Sequence, residues 1–298
     1  MTLDPKTLLL IALVLIGVFH LFTLGSAIAR KRREAAEAQG LAPTPLGIGI
    51  GFFTNFWDTL GIGSFAPTTA LFRFFKTVPD EQIPGTLNVG HTMATLAQAI
   101  IFTQAVDVDS TTLITMIVAA TLGAWLGAGI VSSWDRRRVQ IGMGACLLVA
   151  AGLTVLQALG KIPGGGEALG VEGVKLGAAL IGNFLLGALM TLGIGLYGPC
   201  LILISLLGMN PKAAFPIMMG SCAFLMPIAS AKFLTTGRFN LRASLGLVIG
   251  GIPAVLIAAF IVKSLPLEYV RWLVVIVVAY TAITMLRSAQ KEAGAAVR

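Results

Sequence analysis

Two short stretches hold the groups most able to do chemistry. Thr59-Leu60-Gly61-Ile62-Gly63-Ser64-Phe65-Ala66-Pro67 interrupts an apolar run with two glycines and a proline, and Thr191-Leu192-Gly193-Ile194-Gly195-Leu196-Tyr197-Gly198-Pro199 does so again. In a helix interior glycine costs about 1 kcal/mol relative to alanine and proline about 3, so both stretches read as helix breaks. A break exposes the N–H groups that open the next half-helix, and these attract an anion together with the half-helix dipole. Glycine permits close backbone approach, and the threonines add hydroxyl donors. Two such breaks facing each other would build an oxyanion cradle from Thr59, Gly61, Gly63, Thr191, Gly193 and Gly195. The competing reading is close helix packing, because small residues gather where membrane helices touch.

Other polar groups stand near the breaks or within apolar spans. Lys232, in Ser230-Ala231-Lys232-Phe233-Leu234, is a basic residue well inside a span. A cation there is a candidate anion contact, or it snorkels to the nearby span end at Thr235-Thr236-Gly237-Arg238. Asp58 adjoins the first break and could pair with Lys232, carry a proton or cap the next half-helix; Asn55 is a weaker neighbour. His91 could titrate near neutral pH, or serve as a hydrogen-bonded interfacial residue. Asn88, Thr92 and Ser221 are candidate donors to a ligand, with polar contact between helices as the commoner use. Cys200 follows the second break and either lines a cavity or fills the core. The two histidines and three cysteines form no HExxH or CxxC pattern, so no metal site and no cofactor are expected.

The elements that must position these residues are membrane helices. The chain is 56% hydrophobic and 11% charged, against roughly 25% charged in soluble domains. Apolar runs of about 20 residues recur, long enough to span a bilayer, and strand-type alternation is absent. The net charge of +8 sits at segment ends, which favours membrane orientation over nucleic-acid binding. The first helix ends in Ala27-Ile28-Ala29 and Arg30-Lys31-Arg32-Arg33; its apolar length reads as a retained span rather than a signal peptide.

The two breaks align at an offset of 132 residues, which also pairs Leu71 with Leu203, Pro79 with Pro211, Pro84 with Pro216 and Thr103 with Thr235. Later the offset is 131, where Ile130-Val131-Ser132-Ser133 meets Ile261-Val262-Lys263-Ser264. The chain therefore divides into an N-terminal transmembrane helix (1–33), a first repeat (45–160), a linker (161–174), a second repeat (175–288) and a tail (289–298). Each repeat holds one broken segment, 46–75 or 178–208, and three plainer spans: 85–104, 111–133 and 138–159, then 213–235, 243–264 and 268–287.

The positive-inside rule chooses between topologies. If both broken segments cross fully, eleven basic residues fall inside and nine outside; if both are re-entrant, the division is fourteen to six and Arg136-Arg137-Arg138 stays inside. The second arrangement gives an all-α polytopic membrane protein with two inverted repeats, the N-terminus outside and the C-terminus inside. Broken helices then meet near the midplane, as in many secondary transporters.

At this point the chain resembles the TauE/SafE group of sulfite and organosulfonate exporters. The resemblance rests on two four-segment halves, on the Gly-Ile-Gly-x-x-x-Pro break that opens each, and on the Gly237-Arg238-Phe239-Asn240 turn. It covers 45–288. Departures lie at Ser64 and Phe65, where the family usually carries further glycines, and at the bulky, polar Phe53-Thr54-Asn55-Phe56-Trp57-Asp58. The resemblance implies export of a small sulfur oxyanion, such as sulfite, sulfoacetate or a related sulfonate, across the bacterial inner membrane. The residues alone support a small anion, a midplane site and inverted repeats; with the resemblance, the expectation is a secondary transporter working by alternating access. Lys232 would supply positive charge, Asn88 and Ser221 further donors, and Asp58 or His91 the proton-sensitive group. Proton linkage and homo-oligomerisation are compatible with this reading, and nucleic acid is not an expected partner. The rivals are an anion channel with the same cradle, a transporter of another anion, a membrane enzyme using Cys200 or His91, and a scaffold subunit. A paired base and nucleophile, which an enzyme would need, are missing.

Overall fold

In the computed structural model the described residues are 4–34, 42–161, 165–193, 195–261 and the single positions 279, 283, 286, 287 and 290. The expected last span (268–287) and tail (289–298) fall mainly outside them. Ten α-helices are described: α1 (Pro5–Glu34), α2 (Pro45–Thr59), α3 (Phe65–Phe74), α4 (Ile83–Ala105), α5 (Ser110–Val131), α6 (Arg136–Ala158), α7 (Gly173–Met190), α8 (Tyr197–Leu206), α9 (Ala214–Thr236) and α10 (Leu241–Ile261). Single 3₁₀ turns precede α4 and α9. No strand occurs among the described residues, only an isolated bridge between Ala168 and Met209.

Local sequence explains the boundaries. Thr44 caps α2 by accepting from the Gly47 N–H at 3.0 Å, with Pro45 in the first turn. Asp109 caps α5 through the Thr112 N–H, and Asn240 caps α10 through the Ala243 N–H. Gly237, left-handed at φ 71°, ends α9. The two sequence breaks are real: α2 and α3 are separate helices flanking 60–64, and α7 and α8 flank 191–196.

Among the described residues five helical stretches are long and apolar enough to cross a membrane: Pro5–Arg30, Ser110–Val131, Gly173–Met190, Pro211–Thr236 and Leu241–Phe260. Two of the differences from the sequence expectation bear on the site. Gly173–Met190, expected as one arm of a broken segment, qualifies by itself. α4, expected as a plain span, does not, because Asn88, His91, Thr92, Thr95 and Gln98 lower its hydropathy. Those side chains are buried, so α4 keeps its polar face away from lipid.

Polar contacts gather at two ends of the bundle. At the first, the Arg30 guanidinium donates to the Leu234 carbonyl (2.6 Å) and that of Arg242 to the Ala42 carbonyl (2.7 Å), and the Asn240 N–H donates to Thr86 Oγ1 (2.9 Å). There too Asp80 pairs with Arg73 at 2.8 Å and accepts from Gln140 at 2.8 Å. This end holds the end of α1, the start of α2, the end of α3 and the starts of α4, α6 and α10. At the second end, Lys6 lies 3.9 Å from Asp107, Lys175 donates to the Leu207 carbonyl (3.1 Å), and the Asp109 and Asn210 N–H groups donate to Leu169 and Ala168. It holds the starts of α1, α5, α7 and α9 and the ends of α4 and α8.

Helix neighbours exchange between the halves. α2 packs on α10 as α7 packs on α5; α4 packs on α10 as α9 packs on α5; and α4 and α9 pack on each other at the centre. Both outer seams are close. A Cβ on Gly250 would lie 2.0 Å from the Ile48 carbonyl oxygen, and one on Gly123 1.9 Å from that of Phe184. Helices approach this closely where glycine leaves the space.

Candidate functional site

The first break is built around a buried carboxylate. Gly61 turns the chain out of α2 at φ +85° and Gly63 follows at φ +91°, conformations that glycine adopts freely. Asp58, 2% exposed, ends α2. Its Oδ2 accepts from Gln98 Nε2 of α4 at 2.9 Å. Ser64, opening α3, turns its hydroxyl and backbone N–H to the same carboxylate. Gln98 Nε2 also donates to Thr59 Oγ1 at 3.0 Å, while Thr59 donates to the Asn55 carbonyl.

The second break enters this cluster through one side chain. The Tyr197 hydroxyl, in the first turn of α8, donates to Gln98 Oε1 at 2.5 Å, and Thr95 of α4 faces the same phenol. Tyr197, Gln98 and Asp58 thus form one chain of donors and acceptors linking the start of α8 to the end of α2. The first N–H groups of α3 and α8 have no intrahelical acceptor, so both half-helix N-termini border this network.

The glycine turns themselves do not meet. Gly61 faces Phe215 and Met218 in the first turns of α9, whereas Gly193 (φ +92°) faces Leu87 near the start of α4 and Met143. α4 and α9 start at opposite ends, so the turns are staggered along the bundle. What converges is the residues after them, with Phe65 against His91 (ring centroids 5.6 Å) and Tyr197 against Gln98. A Cβ on Gly63 or on Gly195 would meet nothing within 4 Å, so open space lies beside each break at matching positions.

His91 is held one step from the carboxylate. Asn55 Nδ2 donates to the Gly51 carbonyl at 2.7 Å, which leaves its amide oxygen for His91 Nδ1 at 3.0 Å. Nδ1 therefore carries the proton and Nε2 accepts from Thr68 Oγ1 at 3.0 Å, the pattern of a neutral imidazole.

The remaining sequence candidates stand elsewhere. Lys232 is exposed on α9, in a groove of about 630 Å³ lined also by Trp125, Ile130, Ile228 and Thr235, and it contacts neither Asp58 nor the breaks. Thr191 donates to the Ala188 carbonyl beside the α5–α7 seam. Ser221 accepts from Asn183 Nδ2, which also donates to the Met116 carbonyl. Asn88 Nδ2 donates to the Pro84 carbonyl, and its Oδ1 is buried without a partner. Cys200 is buried, with no disulfide. No cluster of three or more metal-ligating side chains occurs among the described residues.

Gln98, Tyr197, Thr68 and Ser64 were not among the sequence candidates. Two signals were available. Asn88, His91, Thr95 and Gln98 share one stripe of α4 at helical spacing, and Tyr197 lies inside the second break motif, where the first repeat has Phe65.

Helices of membrane-spanning length around a buried polar network between two broken segments are the build of an integral membrane protein. The family model described as "Sulfite exporter TauE/SafE" matches residues 2–154. The chain belongs to this family of sulfite and organosulfonate exporters. No curated protein and no solved structure matches it.

Proposed function

We propose that the protein exports a small sulfur oxyanion, sulfite or an organosulfonate, across the cytoplasmic membrane by proton-linked alternating access. The site lies between the first turns of α3 and α8. One observation carries this reading: the Tyr197–Gln98–Asp58 chain ties the second break to the first. The halves act as inverted repeats about α4 and α9. Supporting this, α2 starts and α3 ends at the first end of the bundle, whereas α7 starts and α8 ends at the second. Arg30, Arg73, Arg136, Arg238 and Arg242 group toward the first end, which supports reading it as the cytoplasmic one. The N-terminus then lies outside. Broken backbone in a membrane survives only where protein or a cavity satisfies it, and half-helix N-termini suit an anion.

The test is thermal stabilisation of the purified protein by sulfite, sulfate, thiosulfate and methanesulfonate. Sulfite or methanesulfonate is expected to raise the midpoint of the wild type and not of Gln98→Leu. Equal stabilisation of Gln98→Leu would place the anion elsewhere. Cysteines introduced at 134–138 are expected to react only from the cytoplasm, and labelling from outside would overturn the inverted arrangement.

A further inference from the structure

We propose that the Asp58 carboxylate is a built-in competitor for the substrate: it occupies the donors an oxyanion would use and releases them only on taking up a proton. This rests on the anion-site reading above. Each partner that Asp58 meets is a donor. Turning the Gln98 amide around would face Oε1 to the acceptor-only carboxylate, so Asp58 fixes Nε2 on its Oδ2 and leaves Oε1 to accept from the Tyr197 hydroxyl. Ser64, at the opening turn of α3, brings an O–H and an N–H beside the carboxylate. An Oδ2 held by an amide N–H, with the Ser64 hydroxyl and the N–H that opens α3 beside the same carboxylate, resembles the surroundings a bound sulfonate would take from the protein. Beside them the space at Gly63 is open.

The groups around Asp58 leave it as the site of exchange. α4 contributes Gln98 and, through Asn55, the doubly bonded neutral His91; α8 contributes Tyr197 and Cys200, and α9 contributes Cys222. α3 contributes Ser64 and Thr68, and α10 faces α2 with Gly246, Leu247, Gly250 and Gly251. No lysine or arginine among the described residues pairs with Asp58. An ionised Asp58 and a bound anion would therefore repel each other with no cation between them. One proton added to the carboxyl removes the repulsion, frees Ser64 and Gln98 Nε2 for the substrate, and turns Asp58 into an O–H donor. One proton enters with each anion and leaves when the carboxylate reclaims its donors.

Methanesulfonate is the suitable probe, because its own charge is constant where sulfite's changes. Binding is measured by calorimetry across neutral and alkaline pH for the wild type and Asp58→Asn, with proton uptake followed in weak buffer. Wild-type affinity is expected to fall about tenfold per pH unit above the carboxyl titration, since only the protonated fraction binds. One proton is taken up per sulfonate, and Asp58→Asn binds with no pH dependence. If Asp58→Asn does not fold, wild-type proton uptake decides alone. Binding without proton uptake in the wild type would overturn the competition and leave the anion site standing. PH dependence surviving in Asp58→Asn would move the exchange to another group. Failure of the wild type to bind sulfite or methanesulfonate at any pH would overturn both readings.

Discussion

The two breaks share a motif and a backbone turn, and they differ in everything around it. Gly61 and Gly193 take the same left-handed conformation, φ +85° and +92°. A shift of 132 residues carries Asn55 to Gly187, Asp58 to Met190 and Phe65 to Tyr197; a shift of 131 carries His91 to Cys222. The first break is accordingly polar, a carboxylate, an amide and an imidazole tied to α4. The second is soft and apolar, with Cys222 Sγ 3.4 Å from Met190 Sδ. The two breaks keep one backbone turn and differ in chemistry. One half keeps the ionisable group, and the other reaches it through a single phenol. A symmetric pair of carboxylates would put two charges in one apolar site, which is costlier than one.

The largest effects should fall on what the halves share. Gly123→Val and Gly250→Val each drive a side chain into a backbone carbonyl across equivalent seams. Overpacking costs about 1–3 kcal/mol when neighbours can move and more when backbone must. Both variants are expected to lose the monodisperse peak on size exclusion. A well-folded Gly123→Val beside an unfolded Gly250→Val would show that the seams are not equivalent.

Next come the substitutions that make the breaks alike. Asp58→Met gives the first break the second's residue and leaves Gln98 Nε2 short of its charged acceptor, a loss of about 1–3 kcal/mol. Transport in proteoliposomes is expected to drop at least about tenfold, the factor that ~1.4 kcal/mol represents. Met190→Leu, a volume-conserving change, should cost under about 1.5 kcal/mol and keep transport. Equal losses in the two would mean that the carboxylate holds the fold rather than the function. Gly61→Ala and Gly193→Ala come third. Each places a Cβ in the left-handed region at about 1–2 kcal/mol, so their thermal midpoints should fall together.

The breaks and nearly every helix boundary among the described residues were readable from glycine, proline and charge spacing, because those residues act on the local backbone. Asp58 and His91 stood out because charge in an apolar run is rare. Gln98 and Tyr197 did not, because an uncharged amide and a phenol pass as packing until the fold sets one against the other across 99 residues. Lys232 poses the opposite problem. Its position within a span suggested a site, yet its stripe of α9 faces an open groove. Sequence distance along a helix does not say which face a neighbour covers.

The smallest effect sharpens the comparison at the helix caps. Asp109 and Asn240 are equivalent at a shift of 131 and cap α5 and α10 through the Thr112 and Ala243 N–H groups at 2.7 and 3.0 Å. Only Asp109 titrates. The Thr112 N–H and hydroxyl bond to its charged form and hold its carboxyl below the ordinary value of 3.8. A pKa lower in the folded state means that the unfolded chain binds the proton first as pH falls. The cap therefore stabilises above that ordinary value, and its contribution is lost as pH drops through the lowered one. Removing an N-cap costs about 1 kcal/mol, and Asp109 is exposed, so the loss sits at the small end of that range. Asp109→Ala should lower stability at about pH 7 and change little at about pH 2. Asn240→Ala should cost the same at both, read as thermal midpoints in one detergent. A cost for Asp109→Ala that does not shrink with acid would mean that its cap works by shape, as in the other half, and that charge is divided between the halves only at the breaks.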